Sequence, residues 1–232
     1  VGKCNFCLQE AGFLRGDHKE CQEKHNSGNL KITEILRNSL GNESDFVNIK
    51  EEAYKIGRES FINKTKIDTL IDEVSVLKTL LSGSITPITT QEFISFNLQK
   101  NEIVVWVFKD INYLEQKTRT HYVGGSQGVS MSVPGLKGVR YRVGNFKGER
   151  ISTQETVDMG NGTLVVTNKH IYFTGASKTF KVAFNKIVSF TPYTNGVGIQ
   201  RDALTAKPQS FITGDGWFIY NLFVILADKE KQ

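Results

Sequence analysis

After residue 21 the sequence contains no cysteine. Its three cysteines, Cys4, Cys7 and Cys21, cannot all pair with one another, which argues against a disulfide-stapled secreted scaffold and for thiols kept reduced, as in the cytoplasm. The same absence leaves no thiol nucleophile in the rest of the chain. No run of 18 apolar residues occurs, so no membrane-spanning helix is expected. The opening Val1-Gly2-Lys3-Cys4 lacks the apolar stretch of a secretory signal. The glycine-rich run Gly124–Gly128 lacks the Gly-Lys-Ser/Thr ending of a phosphate loop and reads as a bent connection or bulge. His121 and His170 stand near no cysteine or serine nucleophile, and no carboxylate pair stands out. A non-enzymatic protein is therefore expected.

The remaining composition is that of a soluble globular protein. Of 232 residues, 39% are hydrophobic and 23% charged, enough to bury a core in one large domain or two to three small ones. The net charge of +5 is unevenly spread. Residues 1–30 carry four basic and four acidic side chains, residues 31–87 eight and nine, and residues 88–232 seventeen and eleven. The excess therefore lies away from the cysteines, although a nucleic-acid-binding finger should itself be basic.

Cys4-Asn-Phe-Cys7 is a Cys-x2-Cys pair, and His18-Lys-Glu-Cys21 follows as a His-x2-Cys pair. Two close-spaced N/S pairs joined by a short loop are the usual supply for a tetrahedral Zn²⁺. The favoured ligands are Cys4, Cys7, His18 and Cys21. His25 is an alternative to His18, or a group just outside the shell. Four protein ligands leave no open position, so the zinc is expected to be structural. So short a segment cannot fold on its own burial, and the metal would supply that free energy.

Residues 28–83 read as helical, with apolar positions such as Ile32, Ile35 and Leu36, or Ile67, Leu70, Ile71 and Val74, at helical spacing. Ser44, followed by Asp45, is a candidate N-cap, and Gly57 and Gly83 mark candidate ends or kinks. Pro87 is expected to close the helical region. From about residue 92, β-branched and aromatic runs alternate with turn signals. Strands are expected near 102–108, 112–123, 128–133, 137–143, 163–167, 170–174, 178–184, 186–191, 196–201 and 208–213. Asn168-Lys169 reads as a tight hairpin and Asn161-Gly162 as a turn. Asp215 is a candidate N-cap for a closing, almost wholly apolar helix. The core is expected from Trp106, Phe173, Phe184, Phe190, Trp217 and Phe223.

The fold class expected is thus α+β: a zinc finger (1–27), a helical linker region (28–87), and a bent antiparallel sheet or partly open barrel capped by a C-terminal helix (88–232). The opening Cys-x2-Cys…His-x2-Cys-x3-His resembles the start of uncharacterised bacterial proteins that join a small zinc finger to a pleckstrin-homology-like domain. Glu102–Trp106, Tyr122–Ser130, Lys137–Arg142, Leu164–Phe173, Lys186–Phe190 and Phe211–Trp217 resemble that domain, and the Thr-Asn-Lys-x-Ile-Tyr-Phe hairpin is similar to GRAM-like domains in general. The resemblance covers roughly residues 92–228. It implies a bent sheet of about seven strands capped by one helix, and a binding or scaffolding module.

Lys137, Arg140, Arg142, Lys147 and Arg150 form the densest basic cluster and are the candidate surface for an anionic ligand or partner. Strand alternation puts Arg140 and Arg142 on one face, with Val139, Tyr141 and Val143 on the other. The closing helix is apolar on nearly every side, so something besides the sheet must cover it. The 28–83 helices or a protein partner, including a second copy of the chain, would do so. Two less favoured partners are nucleic acid, met through Lys3, Arg15, Lys19 and Lys24 of the finger, and an anionic membrane surface met by the basic β-domain.

Overall fold

Three amphipathic helices form because apolar residues recur every three to four positions: α1 (Lys19–Asn38), α2 (Phe46–Glu59) and α3 (Lys64–Leu81). The computed structural model describes residues 2–11, 16–41, 45–87, 96–123, 126–132, 140–146 and 149–230, and of residues 120–152 it describes the backbone only. Ile32 and Leu36 of α1, Ala53 of α2, and Ile67, Ile71 and Val74 of α3 close into one buried cluster. α1 runs unbroken from beside Cys21 into this bundle.

Asp45, not Ser44, takes the N-cap position of α2, and Ser44 itself lies outside the described residues. Asn63 caps α3, its Oδ1 accepting from Thr65 N–H at 2.8 Å. α3 stops at Gly83 rather than at Pro87. Gly83 adopts a φ of +92°, its N–H donates to Leu80 O, and Ser84 N–H reaches back to Thr79 O. Those two bonds satisfy the last carbonyls, and the left-handed residue they require suits glycine. Gly57 neither ends nor kinks a helix. It is buried inside α2, where a Cβ would lie 2.2 Å from Ile67 Cδ1, so its lack of a side chain lets α3 come close.

The sheet comprises β1 (Val104–Val123), β4 (Glu149–Thr167), β5 (His170–Gly175), β6 (Thr179–Ala183), β7 (Ile187–Tyr193), β8 (Gly196–Arg201) and β9 (Gln209–Ile212). Its order is β6-β5-β4-β1-β9-β8-β7, with antiparallel neighbours. It curls into a half-barrel, and α4 (Gly216–Glu230) packs across β7 and β8. β2 (Ser126–Ser132) and β3 (Arg140–Phe146) form a separate two-stranded sheet between β1 and β4.

The core on the concave side holds Tyr113, Phe173, Phe184, Phe211, Phe218 and Phe223, all 1% exposed or less. Trp106, Phe190 and Trp217 pack at its edge, only partly buried. From Gly216 to Ala227 every residue of α4 is buried or half-buried. Leu77 and Leu80 of α3 join its cluster, so the chain's own helical bundle covers the face that the sheet leaves open.

Several strand and turn expectations differ from what forms: β4 begins at Glu149 rather than near 163, and β3 runs Arg140–Phe146 against the expected 137–143, residues 137–139 lying outside the described ones. Residues 102–108 and 112–123 merge into one strand, which bends through irregular register around Phe108–Leu114, with Asp110 at φ +53°. Asn161-Gly162 is no turn but lies inside β4, opposite Asn112 and Ile111. A side chain at Gly162 would strike Thr174 O at 2.3 Å and the Phe173 ring, so glycine serves close strand approach there. Asn168-Lys169 does connect β4 to β5.

Candidate metal centre

The first ligand pair sits on a hairpin. Lys3 pairs with Glu10 in an isolated antiparallel bridge, Cys4 N–H donates to Gln9 O at 2.8 Å, and Leu8 N–H returns to Cys4 O at 2.9 Å. Leu8 turns the chain at φ +63°. Asp17 braces this turn from outside, accepting from Asn5 N–H at 2.7 Å. The second pair sits where α1 begins: His18 is the N-cap residue and Cys21 lies in the first turn. A helix N-terminus presents positive dipole and free N–H groups, which favours thiolates there.

These two pieces converge. One ligand atom from each of Cys4, Cys7, His18 and Cys21 lies within 4.8 Å of every other, so the cluster could hold a metal ion. Ligands about 2.0–2.3 Å from a tetrahedral ion stand roughly 3.5–3.8 Å apart, so the set is near that spacing. His18 Nδ1 faces the sulfurs, 3.3 Å from Cys7 Sγ and 3.9 Å from Cys21 Sγ. Its other nitrogen, Nε2, is 3.1 Å from Glu10 O. A carbonyl only accepts, so Nε2 carries the proton and Nδ1 offers its lone pair to the cluster. This carbonyl–imidazole arrangement is the usual brace of a metal-bound histidine.

The thiols differ in acidity. Burial works to raise Cys4, but hydrogen bonds from the backbone N–H groups of Cys7, His18 and Phe6 outweigh it and bring the thiol down to about 6. Cys21 is pushed up to about 11, by burial first and then by the neighbouring Cys7 and Cys4. Three thiolates packed together repel one another, and a divalent cation among them relieves that repulsion.

His25 stands apart from the four. Its Nδ1 lies 3.2 Å from Ser60 O at the end of α2, and its ring packs 4.9 Å from that of Phe6. It joins the finger to the bundle. No pattern in the sequence indicates this, because Ser60 is 35 residues away.

Of the basic cluster, Arg140 and Arg142 lie in β3, opposite Ser132 and Ser130, and Arg150 lies in β4 opposite Tyr122. Lys137 and Lys147 lie outside the described residues, as do Arg15, Gly124 and Gly125. His170 is tied into a polar knot: its Nδ1 is 2.9 Å from Glu102 Oε1, and Tyr172 OH donates to Oε2 at 2.8 Å. His121 belongs to β1, its side chain outside the description. Among the described residues, no helix is long and apolar enough to cross a membrane. Fold and site define an α+β protein with a Cys3His cluster at its N-terminus. Compared with known proteins, the chain matches no family model and no curated protein.

Proposed function

We propose that this chain is a non-enzymatic recognition module of the bacterial cytoplasm, in which a structural zinc orders the N-terminus and a pleckstrin-homology-like, GRAM-like β-domain binds an anionic partner. The convergence of Cys4, Cys7, His18 and Cys21 supports the metal half. Three sulfurs and one imidazole suit zinc, and four protein ligands leave no position for a substrate. The partner half rests on charge. Residues 88–232 carry seventeen basic and eleven acidic side chains, while residues 1–87 carry one more acidic than basic. Lys137, Arg140, Arg142, Lys147 and Arg150 are the densest part of that excess.

Two measurements test the reading. Elemental analysis of freshly purified protein should find one zinc per chain, lost in Cys7→Ser and retained in His25→Ala; protein without stoichiometric zinc refutes the metal half. Heparin, a generic polyanion, should retain the protein at physiological salt, and Arg140→Gln/Arg142→Gln should elute earlier. Passage through heparin unretarded refutes the partner half.

A further inference from the structure

A cavity of about 480 Å³ opens where the helical bundle meets the β-domain. Asn29, Thr33 and Arg37 line it from one stripe of α1, and Lys66 and Glu73 line it from α3. Thr194, in the β7–β8 turn, and Thr213 to Asp215, in the β9–α4 connection, form the facing wall. Backbone bonds fix that wall. Thr213 N–H and Gly214 N–H both donate to Asn195 O at 2.9 Å, and Gly216 N–H donates to Thr194 O at 3.1 Å. Gly214 permits this close turn with a φ of +92°. On the other side, Ile32, Leu36, Ile67 and Val74 hold α1 and α3 together. The cleft is thus preformed and in the size range of small-molecule sites.

Its polar groups are unevenly partnered. Arg37 is engaged by Asp215 and by the Trp217 ring. The second oxygen of Asp215 is taken by the first N–H groups of α4. Glu73 differs: its carboxyl is partly buried, yet it has no hydrogen bond or ion pair among the described residues. The Asn29 amide and the Thr194 hydroxyl likewise have none among them. Thr33 Oγ1 donates to Asn29 O at 2.8 Å and keeps its lone pairs. Leu70 is the one aliphatic side chain in the described lining.

Charge selects the kind of ligand. Two partly buried carboxyls, Glu73 and Asp215, share the cleft with one partly buried cation, Arg37, while Lys66 is exposed and keeps its charge in water. A further cation at Glu73 would balance the set; an anion there would face both carboxyls. Burial first, and then the charge of Asp215, push the Glu73 carboxyl up to about 8 against the pull of Arg37. An unpartnered, perturbed carboxyl in a cleft is the pattern of a binding site. An ammonium group brings a compact charge with three donors, which suits one carboxylate ringed by hydroxyl and amide oxygens.

We infer that this cleft binds a small polar primary amine in its ammonium form, with Glu73 as counter-ion and Asn29, Thr33 and Thr194 contacting its polar substituent. The inference goes beyond the zinc and anionic-partner readings and depends on neither. One wall belongs to the bundle and the other to loops of the β-domain. An occupied cleft therefore ties the two together and stabilises the folded chain.

The test titrates the full chain calorimetrically with ethanolamine, serinol and putrescine, and with acetate and inorganic phosphate as anionic controls. At least one amine should bind at pH 8 with a dissociation constant on the order of 1 mM or below, as so few atoms allow, and neither anion should bind. Glu73→Gln, a neutral variant of the same shape, should weaken amine binding about tenfold or more while its thermal transition stays cooperative. Thr194→Val should weaken it about fivefold, the worth of one hydrogen bond. Lys66→Gln should not weaken it. The charged groups around Glu73 are Lys66 and Asp72 of α3, Arg37 of α1 and Asp215 at the head of α4. Glu73 ionises as pH rises from 6 to 8, so amine affinity should climb roughly tenfold or more over that range with release of a proton. In Glu73→Gln the affinity should stay flat. No binding of any of the three amines at about 10 mM, far above the expected constant, overturns the site. So does undiminished amine binding by Glu73→Gln, or binding of either anion that Lys66→Gln abolishes. None of these results bears on zinc content or heparin retention, which test the other readings separately.

Discussion

Arg37 and Asp215 meet at 2.7 Å, Nη2 to Oδ2, across 178 residues of chain. The guanidinium also lies 4.7 Å over the Trp217 ring. The other oxygen of Asp215 accepts from Trp217 N–H at 2.9 Å and Phe218 N–H at 3.3 Å, capping α4. One carboxylate therefore starts the closing helix and ties it to α1. Asp215→Ala removes both roles and should cost about 2–3 kcal/mol, of which the cap contributes about 1. Asp215→Asn can still cap and should cost distinctly less. Equal urea midpoints for the two variants would show that the cap contributes nothing.

Glu73 of α3 lines the same cleft, a cavity of about 480 Å³ shared with Arg37 and Asp215. Burial first, and then the charge of Asp215, push its carboxyl up to about 8; Arg37 opposes this and Asp72 adds to it. The folded value lies above the ordinary 4.5, so between about pH 4.5 and 8 the native state keeps a proton that the unfolded chain releases. Stability from this group is full below that window and falls as pH rises through it, by at most about 1.4 kcal/mol per pH unit. Glu73→Gln should flatten the decline and stabilise the protein at pH 8. An unchanged pH profile in chemical denaturation would contradict this.

Glu102, whose side chain is fully buried, accepts hydrogen bonds from Thr167 Oγ1 at 2.5 Å, Tyr172 OH and Gln99 N–H at 2.8 Å each, with His170 Nδ1 at 2.9 Å. Burial works to raise its pKa, but the bonds from Thr167, Gln99, Tyr172 and His170 outweigh it and hold the carboxyl below its usual value. Its contribution is present above the unfolded value and is lost as pH falls through the folded one. Glu102→Gln puts an amide donor among donors and should cost about 3 kcal/mol, read as a fall in thermal midpoint. A midpoint within a degree of wild type would refute the knot's importance.

His25→Ala should separate metal binding from docking. Zinc content should stay stoichiometric, because His25 contacts Ser60 O and Phe6 rather than the sulfurs. Amide exchange across residues 2–11 should quicken as the finger loses its hold on the bundle, with about 1 kcal/mol lost overall. Loss of zinc would return His25 to the ligand set.

The lower half of β4 escaped the sequence pattern for a physical reason. Period-two alternation arises when one face of a strand is buried, and residues 153–156 are exposed on both faces. Their Thr-Gln-Glu-Thr composition reads as loop. Tyr113, Phe211 and Phe218 were equally hard to place in the core ahead of Trp106 and Trp217, because hydrophobicity ranks side chains but not their distance from the centre. The expected cover of α4 was legible only as a choice between the bundle and a partner. The packing of Leu77 and Leu80 supplies cover from within the chain.

Local rules carried the rest. The spacing of Cys4, Cys7 and Cys21, with His18 favoured and His25 as its alternative, narrowed the ligand set, because a tight turn and a helix start each bring two nearby residues to one point. Alternation and turn residues marked most strands, and Asp215 marked the closing helix. Tertiary structure decided what depends on residues far apart: that His18 rather than His25 faces the sulfurs, that Arg37 finds Asp215, and that β1 and β4 pair with each other beyond the described ends of β9 and β5. Chain entropy and short-range geometry act within a few residues and can be read along the sequence, whereas burial and charge pairing are properties of the assembled volume.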